Sequence, residues 1–380
     1  MKKALFFLSC LACINFGYSQ SLNAEFDYDK FGDNQHLLVG LDLSPNGQHL
    51  AISSLRGRPL IVYDWSKRET IKEFSVGDWY GGSSVKYSPK GKYLLLQKLF
   101  YNDWAINKDK EVDFELIDAA SGKLLKLFNN YHAFAFTPDA KYVVSLTGEE
   151  ITFWNSNTLK KGKVIMVTKA SNGFAISPDG KYIAVSHHPD EGKLKRNPKY
   201  KKDKKALKHT LKYKQQISVY NIETSKKEYT VNGFYDIVYR LEYSEDGKTL
   251  FCLQIPHIKA NENRKRQTFI STINGVTGEP ARKGFVSQAT YEPDFKLSHD
   301  GKLFGLISQG GMYPELHIYD FETGSMLYRF ELASRMFEKV DGELVGNDSR
   351  ATFVFLPDNK KIVITQGNRL VFWDIEPDSK

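Results

Sequence analysis

Ser177-Pro178-Asp179-Gly180 is the clearest of seven copies of one turn signal, and it decides the fold of this 380-residue chain. Proline presets the backbone of the second position, Asp bonds back to the backbone, and glycine takes the left-handed conformation that closes a hairpin. The other copies are Ser44-Pro45-Asn46-Gly47, Ser88-Pro89-Lys90-Gly91, Thr137-Pro138-Asp139-Ala140, Ser244-Glu245-Asp246-Gly247, Ser298-His299-Asp300-Gly301 and Leu356-Pro357-Asp358-Asn359. This repetition predicts a repeat protein with a short apolar strand on each side of every turn.

A second signal follows each turn: a hydrophobic or aromatic run that ends in Asp or Asn. Its seven copies are Val62-Tyr63-Asp64, Leu116-Ile117-Asp118, Phe153-Trp154-Asn155, Val219-Tyr220-Asn221, Thr272-Ile273-Asn274, Ile318-Tyr319-Asp320 and Phe372-Trp373-Asp374. Most copies precede another turn and a further short strand. Each repeat is therefore predicted to be a four-stranded antiparallel unit.

Units of about 40 to 60 residues with a terminal aromatic-Asp pair resemble the blades of a WD-repeat β-propeller. The resemblance covers about residues 22–376, and the Ser-Pro-Asp-Gly turns are similar to those of bacterial TolB-like and quinoprotein-like propellers. It implies an all-β fold, a seven-bladed β-propeller of four-stranded antiparallel blades. The last unit stops at Trp373-Asp374, so we expect Ala24-Glu25-Phe26-Asp27-Tyr28 to supply the outer strand of blade seven and close the ring.

Residues 1–20 are typical of a secretory signal peptide, which leaves residues 21–380 as a single propeller domain. Lys2 and Lys3 precede an apolar core, and small residues follow at the exit. We expect cleavage after Ser19 or Gln20, with a lipoprotein signal at Cys10 or Cys13 as the less favoured alternative. These features predict a periplasmic or secreted protein without a transmembrane segment after processing.

Cys252 is the single cysteine that remains after such cleavage, so we expect no intramolecular disulfide. Its neighbours, Leu250-Phe251 and Leu253, form an apolar strand. We therefore predict a buried thiol in the core.

Basic residues are concentrated in blade four, within a predicted insertion at residues 187–216. Residues 193–214 contain eleven Lys or Arg and one acid, a net charge of +10, whereas the whole chain carries +8. We expect a mobile arm or an extended hairpin that binds an anionic partner, or alternatively a solvated loop that keeps the protein soluble. Nucleic acid is a less favoured partner, because aromatic residues for base stacking are few. The candidate contact residues here are Lys195, Arg196, Lys201, Lys202, Lys204 and Lys205.

Insertions fall mainly on one face of the predicted ring, the loop face, where second-to-third strand loops emerge beside the links between blades. Long loops are predicted at residues 98–113, 187–215, 255–267 and 309–315, and the links between blades at residues 75–84 and 333–350 enlarge the same face. Large aromatic groups on such loops bind a partner or pack locally. The candidate contact residues are Trp79, Tyr80, Tyr101, Trp104, His257 and Tyr313.

Motifs for catalysis, cofactors and metals are nearly absent from the sequence, so we assign no catalytic, cofactor-binding or metal-binding residue. His187-His188 is a weak metal candidate, because adjacent histidines on a strand point in opposite directions. The turns at Asp118 and Asp320 resemble those of quinone-dependent propellers, but the tryptophan that follows in that family is missing. A ring of metal-binding carboxylates, as in lactonase-type propellers, cannot be selected from the linear sequence.

Two functional hypotheses follow from these observations. The first is an exported, monomeric, non-catalytic scaffold that binds a protein or an anionic glycan of the bacterial envelope. The second is an enzyme of lactonase, hydrolase or lyase type with its site at the channel mouth. The propeller fold alone does not decide between them, because it supports both.

Overall fold

The computed structural model describes residues 18–20, 27–33, 36–77, 79, 81–99, 111–257, 259–260, 267–288, 294–308, 315–331, 337–340, 343–346 and 351–375. Within these ranges the chain forms seven four-stranded antiparallel sheets arranged as the blades of a ring, which confirms the predicted fold. The first strand of each blade lies innermost, against the first strand of at least one neighbouring blade.

The first four blades follow one another along the chain, with a helical insertion in the fourth. Their strands are β3 (Leu38–Leu43), β4 (His49–Ser54), β5 (Leu60–Asp64) and β6 (Glu69–Phe74); β7 (Ser83–Tyr87), β8 (Tyr93–Lys98), β9 (Val112–Asp118) and β10 (Leu124–Tyr131); β11 (Ala133–Phe136), β12 (Tyr142–Leu146), β13 (Glu150–Asn155) and β14 (Lys161–Met166); β15 (Ala170–Ile176), β16 (Tyr182–His187), β17 (Lys214–Asn221) and β18 (Lys227–Tyr235). Helices α1 (Glu191–Arg196), α2 (Pro198–Lys202) and α3 (Lys204–Tyr213) connect β16 to β17.

The last three blades complete the ring. Their strands are β19 (Val238–Tyr243), β20 (Thr249–Gln254), β21 (Gln267–Asn274) and β22 (Pro280–Gln288); β23 (Asp294–Leu297), β24 (Leu303–Ser308), β25 (Glu315–Asp320) and β26 (Met326–Glu331); β29 (Phe353–Phe355), β30 (Lys361–Gln366) and β31 (Arg369–Asp374). A two-stranded hairpin of β27 (Phe337–Val340) and β28 (Glu343–Gly346) lies between blades six and seven.

An N-terminal strand supplies the outer strand of blade seven, as predicted. Strand β2 (Asp27–Lys30) pairs antiparallel with β31, and Asp27 lies opposite Phe372. Of the predicted stretch of residues 24–28, Asp27 and Tyr28 belong to this strand, and residues 24–26 lie outside the described part of the chain. A shorter strand, β1 (Tyr18–Gln20), pairs in parallel with β26 at the outer edge of blade six. It lies at the predicted exit of the signal peptide, and blade six keeps its four antiparallel strands without it.

The repeated turn forms as its sequence predicts. In blade four the Ser177 hydroxyl donates to Asp179 at 2.6 Å, and the Gly180 amide donates to the Ser177 carbonyl at 2.9 Å. Gly180 has φ +70°, the left-handed region that favours glycine. The same Ser-to-Asp hydrogen bond recurs in blades five and six, and in blade three from a threonine.

The Asp or Asn after the third strand closes the second turn of the blade. Asp118 accepts hydrogen bonds from the amides of Ala120 and Ser121, at 3.2 and 2.9 Å. Equivalent bonds are accepted by Asp64, Asn155, Asn221, Asn274 and Asp320. The terminal residue of the aromatic-Asp pair thus has a local structural role, because its side chain satisfies amides that the turn leaves unpaired.

Seven hydrophobic clusters lie between neighbouring blades. The cluster between blades seven and one contains Val354, Val363, Leu50 and Ile52. The last and first blades therefore pack against each other at the point where the ring closes. The cluster between blades four and five contains Cys252, which is fully buried, and burial raises the pKa of its thiol. The predicted buried thiol is confirmed. Each blade depends on two neighbours to bury its two faces.

Substituting Gly180 by Ala is expected to lower the free energy of unfolding by about 1 kcal/mol, because a side chain disfavours left-handed backbone. An added Cβ would find its nearest heavy atom, Pro138 Cδ, at 3.7 Å, so backbone strain is the main cost. Urea unfolding measures the change. Gly148→Ala is the matched control: its nearest atom is 3.6 Å away and its backbone is not left-handed. Equal losses in the two variants would contradict the turn assignment.

Candidate functional site: a basic helical arm on the loop face

The insertion of blade four folds into three short helices, where the sequence analysis expected a mobile arm or a hairpin. We call residues 190–213 the arm. Each helix begins at a side chain that accepts a backbone hydrogen bond: Asp190 from Lys193, Asn197 from Lys199 and Asp203 from Ala206, at 2.8 to 3.0 Å. Asp and Asn at this position, and Pro198 in the first turn, are standard helix-start signals. Because the segment is rich in lysine, a mobile arm or a hairpin was predicted and these helix-start signals were not used.

The inner side of the arm holds the three helices together without a fully buried core. The apolar side chains Leu194, Leu207 and Leu211 are half-buried, and no arm residue is fully buried. The Thr210 hydroxyl donates to the Tyr200 hydroxyl at 3.3 Å, which joins α3 to α2. The arm is therefore a small unit of low intrinsic stability that is attached to the propeller.

The outer side of the arm carries ten exposed cationic side chains. They are Lys193, Lys195, Arg196, Lys199, Lys201, Lys202, Lys204, Lys205, Lys208 and Lys212. Lys195 pairs with Glu191 at 2.9 Å. Lys201, Lys202, Lys204, Lys205 and Lys208 have no carboxylate within ion-pair distance among the residues that the structure describes. At least half of the exposed cationic side chains of the arm thus face solvent without a counter-charge.

Four lysines on the opposite face of the ring, the turn face, each pair with an Asp of the same turn. Lys141 pairs with Asp139 at 3.1 Å and Lys181 with Asp179 at 3.5 Å. The equivalent pairs in blades five and six, Lys248 with Asp246 and Lys302 with Asp300, are both 3.6 Å long. The two faces therefore differ in local charge although both are rich in lysine.

Aromatic contacts fix the end of the arm against blade five. The Tyr213 ring lies 5.5 Å from the His257 ring and 5.1 Å from that of His209, measured between centroids. The His257 amide donates to Asp236 at 2.9 Å, which fixes the loop that holds the histidine. The next residue along the chain, Lys214, has its Nζ 4.1 Å from the Tyr235 ring centroid. The arm is thereby held over the junction of blades four and five.

The predicted contact residues have different environments in the structure. Lys195, Arg196, Lys201, Lys202, Lys204 and Lys205 all lie exposed on the arm, and His257 contacts it. Trp79 is half-buried and packs against the cluster between blades one and two, as the local-packing alternative expects. Four further predicted residues lie outside the described part of the chain: Tyr80, Tyr101, Trp104 and Tyr313.

His187, considered above as a weak metal candidate, is hydrogen-bonded within its blade. Its Nε2 lies 2.8 Å from the Ser218 hydroxyl and its Nδ1 lies 2.9 Å from the His188 carbonyl oxygen. Burial lowers the pKa of the imidazole, so the neutral form is favoured. Across the described ranges, no group of three or more His, Cys, Asp or Glu is positioned to bind a metal ion.

Charged residues along the inner strands form a network that sequence reasoning missed. Arg240 lies 3.3 Å from Glu242 and 3.4 Å from Asp294, and Thr352 donates to Asp294 at 2.6 Å. Lys296 of blade six donates to the Leu41 carbonyl of blade one at 2.8 Å. Their spacing is a usable signal, since Asp42, Glu242 and Lys296 each stand two residues before the serine of a repeated turn.

Asp42 is a half-buried acid of this inner network. Its carboxylate accepts a hydrogen bond from the Tyr87 amide at 2.8 Å. Burial raises the pKa of Asp42, and the nearby Lys296 and Lys86 only partly oppose that effect. The charged form is therefore destabilised relative to the unfolded chain at neutral pH.

Comparison with known proteins identifies the fold of the chain but does not assign the chain to a family. No protein-family model matches the chain, and no curated protein matches it. Among solved structures, the chain is similar to hydrazine synthase of Kuenenia stuttgartiensis, with 14% identity, a TM-score of 0.58 and 91% and 97% of the two chains covered. It is also similar to the Cps50 (Swd1) β-propeller domain of Myceliophteria thermophila, with 13% identity, a TM-score of 0.59 and 92% and 100% covered.

These likenesses support the seven-bladed β-propeller fold alone. The resemblance to TolB-like or quinoprotein-like blades stays a prediction. None of the helices in the described ranges has the length and apolar character needed to cross a bilayer.

Replacing Asp203 by Ala is expected to loosen α3 without unfolding the propeller. Loss of this cap costs about 1 kcal/mol, so local opening should become about fivefold more frequent. Trypsin cleavage after Lys208, timed by mass spectrometry, reports that opening. Glu279→Ala, which removes an exposed acid in blade five, is the control. An unchanged cleavage rate in the Asp203 variant would show that the cap does not stabilise the arm.

Replacing Asp42 by Asn is expected to change how stability depends on pH. The folded-state pKa of Asp42 is raised, so its contribution is fully present below the ordinary value of 3.8 and is lost as pH rises through the folded value. Asn keeps an oxygen for the Tyr87 amide and does not titrate. Urea unfolding between about pH 4 and pH 7 should show the variant gaining stability relative to the parent as pH rises. A pH-independent difference would refute this assignment.

Proposed function

We propose that this protein is a non-catalytic binding module, in which the propeller presents the basic arm to an anionic partner. The observation that carries the proposal is the set of exposed lysines on the arm without counter-charges, compared with the paired lysines of the turn face. Uncompensated like charges raise the local concentration of an oppositely charged partner and speed its association.

Folding of the arm supports the binding role over that of a solvated loop. A solubilising loop does not need three helix caps or an aromatic contact with a neighbouring blade. The contact between Tyr213 and His257 holds the end of the arm, so its charges are presented from a defined place on the ring. Such preorganisation lowers the entropic cost of binding.

Export to the bacterial envelope is part of the proposal. It is supported by the basic start, the apolar core and the small-residue exit within residues 1–20. In that compartment the partner would be an anionic glycan or an acidic protein. The propeller fold is compatible with a scaffold of this kind, since its loop face offers a broad rigid surface.

The test is a pull-down from envelope extract at low and moderate salt, using a variant in which Lys199, Lys201, Lys202 and Lys205 are replaced by Gln. We expect the partner to be lost from this variant, and the parent to lose it as salt rises. The matched control replaces four turn-face lysines by Gln: Lys141, Lys181, Lys248 and Lys302. Both variants lose the same charge, so net charge alone cannot explain a difference.

Retention of the same partner by both variants would show that the arm is a solvated loop and would move the search to the aromatic part of the loop face. Equal loss from both variants would mean that only the overall charge matters. Loss confined to the arm variant supports the proposal.

A further inference from the structure

We infer that the partner of the arm is a linear acidic polysaccharide, a polymer whose carboxylates repeat along its length. This inference rests on the proposed function, because it assumes that the arm is the binding determinant. It is carried by three features of the arm: the kind of cation, the arrangement of the cations, and the side chains that are turned inward.

The kind of cation favours charge density over a defined anionic group. Ten of the eleven basic residues in 193–214 are lysines, and Arg196 is the exception. Arginine binds phosphate or carboxylate through a planar pair of hydrogen bonds, whereas lysine acts as a strongly hydrated point charge. A lysine-rich surface therefore suits a ligand with many similar charges.

The arrangement of the cations favours an extended ligand. The lysines of the three helices are exposed, whereas Leu194, Leu207 and Leu211 are half-buried. Helix α3 alone, with ten residues, spans about 15 Å. A small anion would meet only one or two of these charges at a time. A polymer that crosses the arm would meet several and displace their counter-ions together.

The inward-facing side chains argue against other polymers and surfaces. Tyr200 is bonded to Thr210 and Tyr213 packs on His257, so neither ring is presented for stacking on bases. The apolar residues of the three helices other than Pro198 are half-buried, which leaves no apolar face for insertion into a bilayer. A protein partner would need aromatic or apolar anchors at the centre of its interface. Apart from Gly192 and Pro198, every exposed residue of the arm is charged or polar.

Fluorescence anisotropy of labelled polygalacturonate, titrated with the full chain, tests the inference. We expect binding that weakens steeply with salt, and at least tenfold weaker binding of trigalacturonate at the same carboxylate concentration. The four-lysine arm variant should bind at least tenfold more weakly than the parent. The logarithm of its affinity should also fall less steeply with the logarithm of the salt concentration. The change in slope should correspond to the release of up to about four fewer counter-ions. The turn-face variant should stay within twofold of the parent.

Three other probes complete the experiment: dextran, duplex DNA and vesicles of phosphatidylglycerol. Tighter binding of DNA or vesicles than of polygalacturonate at equal salt would overturn the inference, as would equal binding of trigalacturonate and polymer or any strong binding of neutral dextran. If polygalacturonate does not bind but the pull-down still depends on the arm, the polysaccharide assignment is wrong and the proposed function stands. If neither depends on the arm, both are wrong.

Discussion

The pairing of β2 with β31 is the interaction on which the rest of the structure depends. Arg68 of blade one strengthens it, because its guanidinium bonds to Asp27 and Asp29 and lies 3.5 Å from the centroid of the Phe372 ring. Without this closure, blade seven would lose its outer strand and present an open sheet edge. Phe31, directly after β2, is buried in the cluster that blades seven and one share, so a break here would also remove apolar packing against blade one.

The repeated turns could be predicted from sequence because their chemistry is local. Ser177, Asp179 and Gly180 form hydrogen bonds with one another within four residues. The turn can therefore be recognised without knowledge of the rest of the chain. The inner network could not be predicted in this way. Arg240 finds Asp294 in the next blade and Lys296 finds Leu41 two blades away, and such partners are set by the curvature of the ring. The arm is an intermediate case. Its cap residues Asp190, Asn197 and Asp203 are typical helix-start signals, but its lysine-rich composition led to the prediction of a mobile arm or a hairpin.

Charged side chains have different surroundings on the inner strands of the ring and on the arm. Along the inner strands, the half-buried Arg240 is paired with Glu242 and Asp294, because removing a charge from water without a partner is costly. On the arm, the lysines are solvated and their lack of partners costs little. The excess positive charge of the chain is thus concentrated in the arm, whose helices contain no fully buried residue.

The measurement that most directly tests whether the arm is separate from the propeller core is urea unfolding of a chain in which residues 190–213 are replaced by a short Gly-Ser linker. The linker has little distance to cover, because His187 and Gln216 already lie opposite each other in the sheet. We predict a free energy of unfolding within about 0.5 kcal/mol of the parent, as no arm residue is fully buried. A loss of several kcal/mol would contradict the separation and would show that the arm is part of the propeller core.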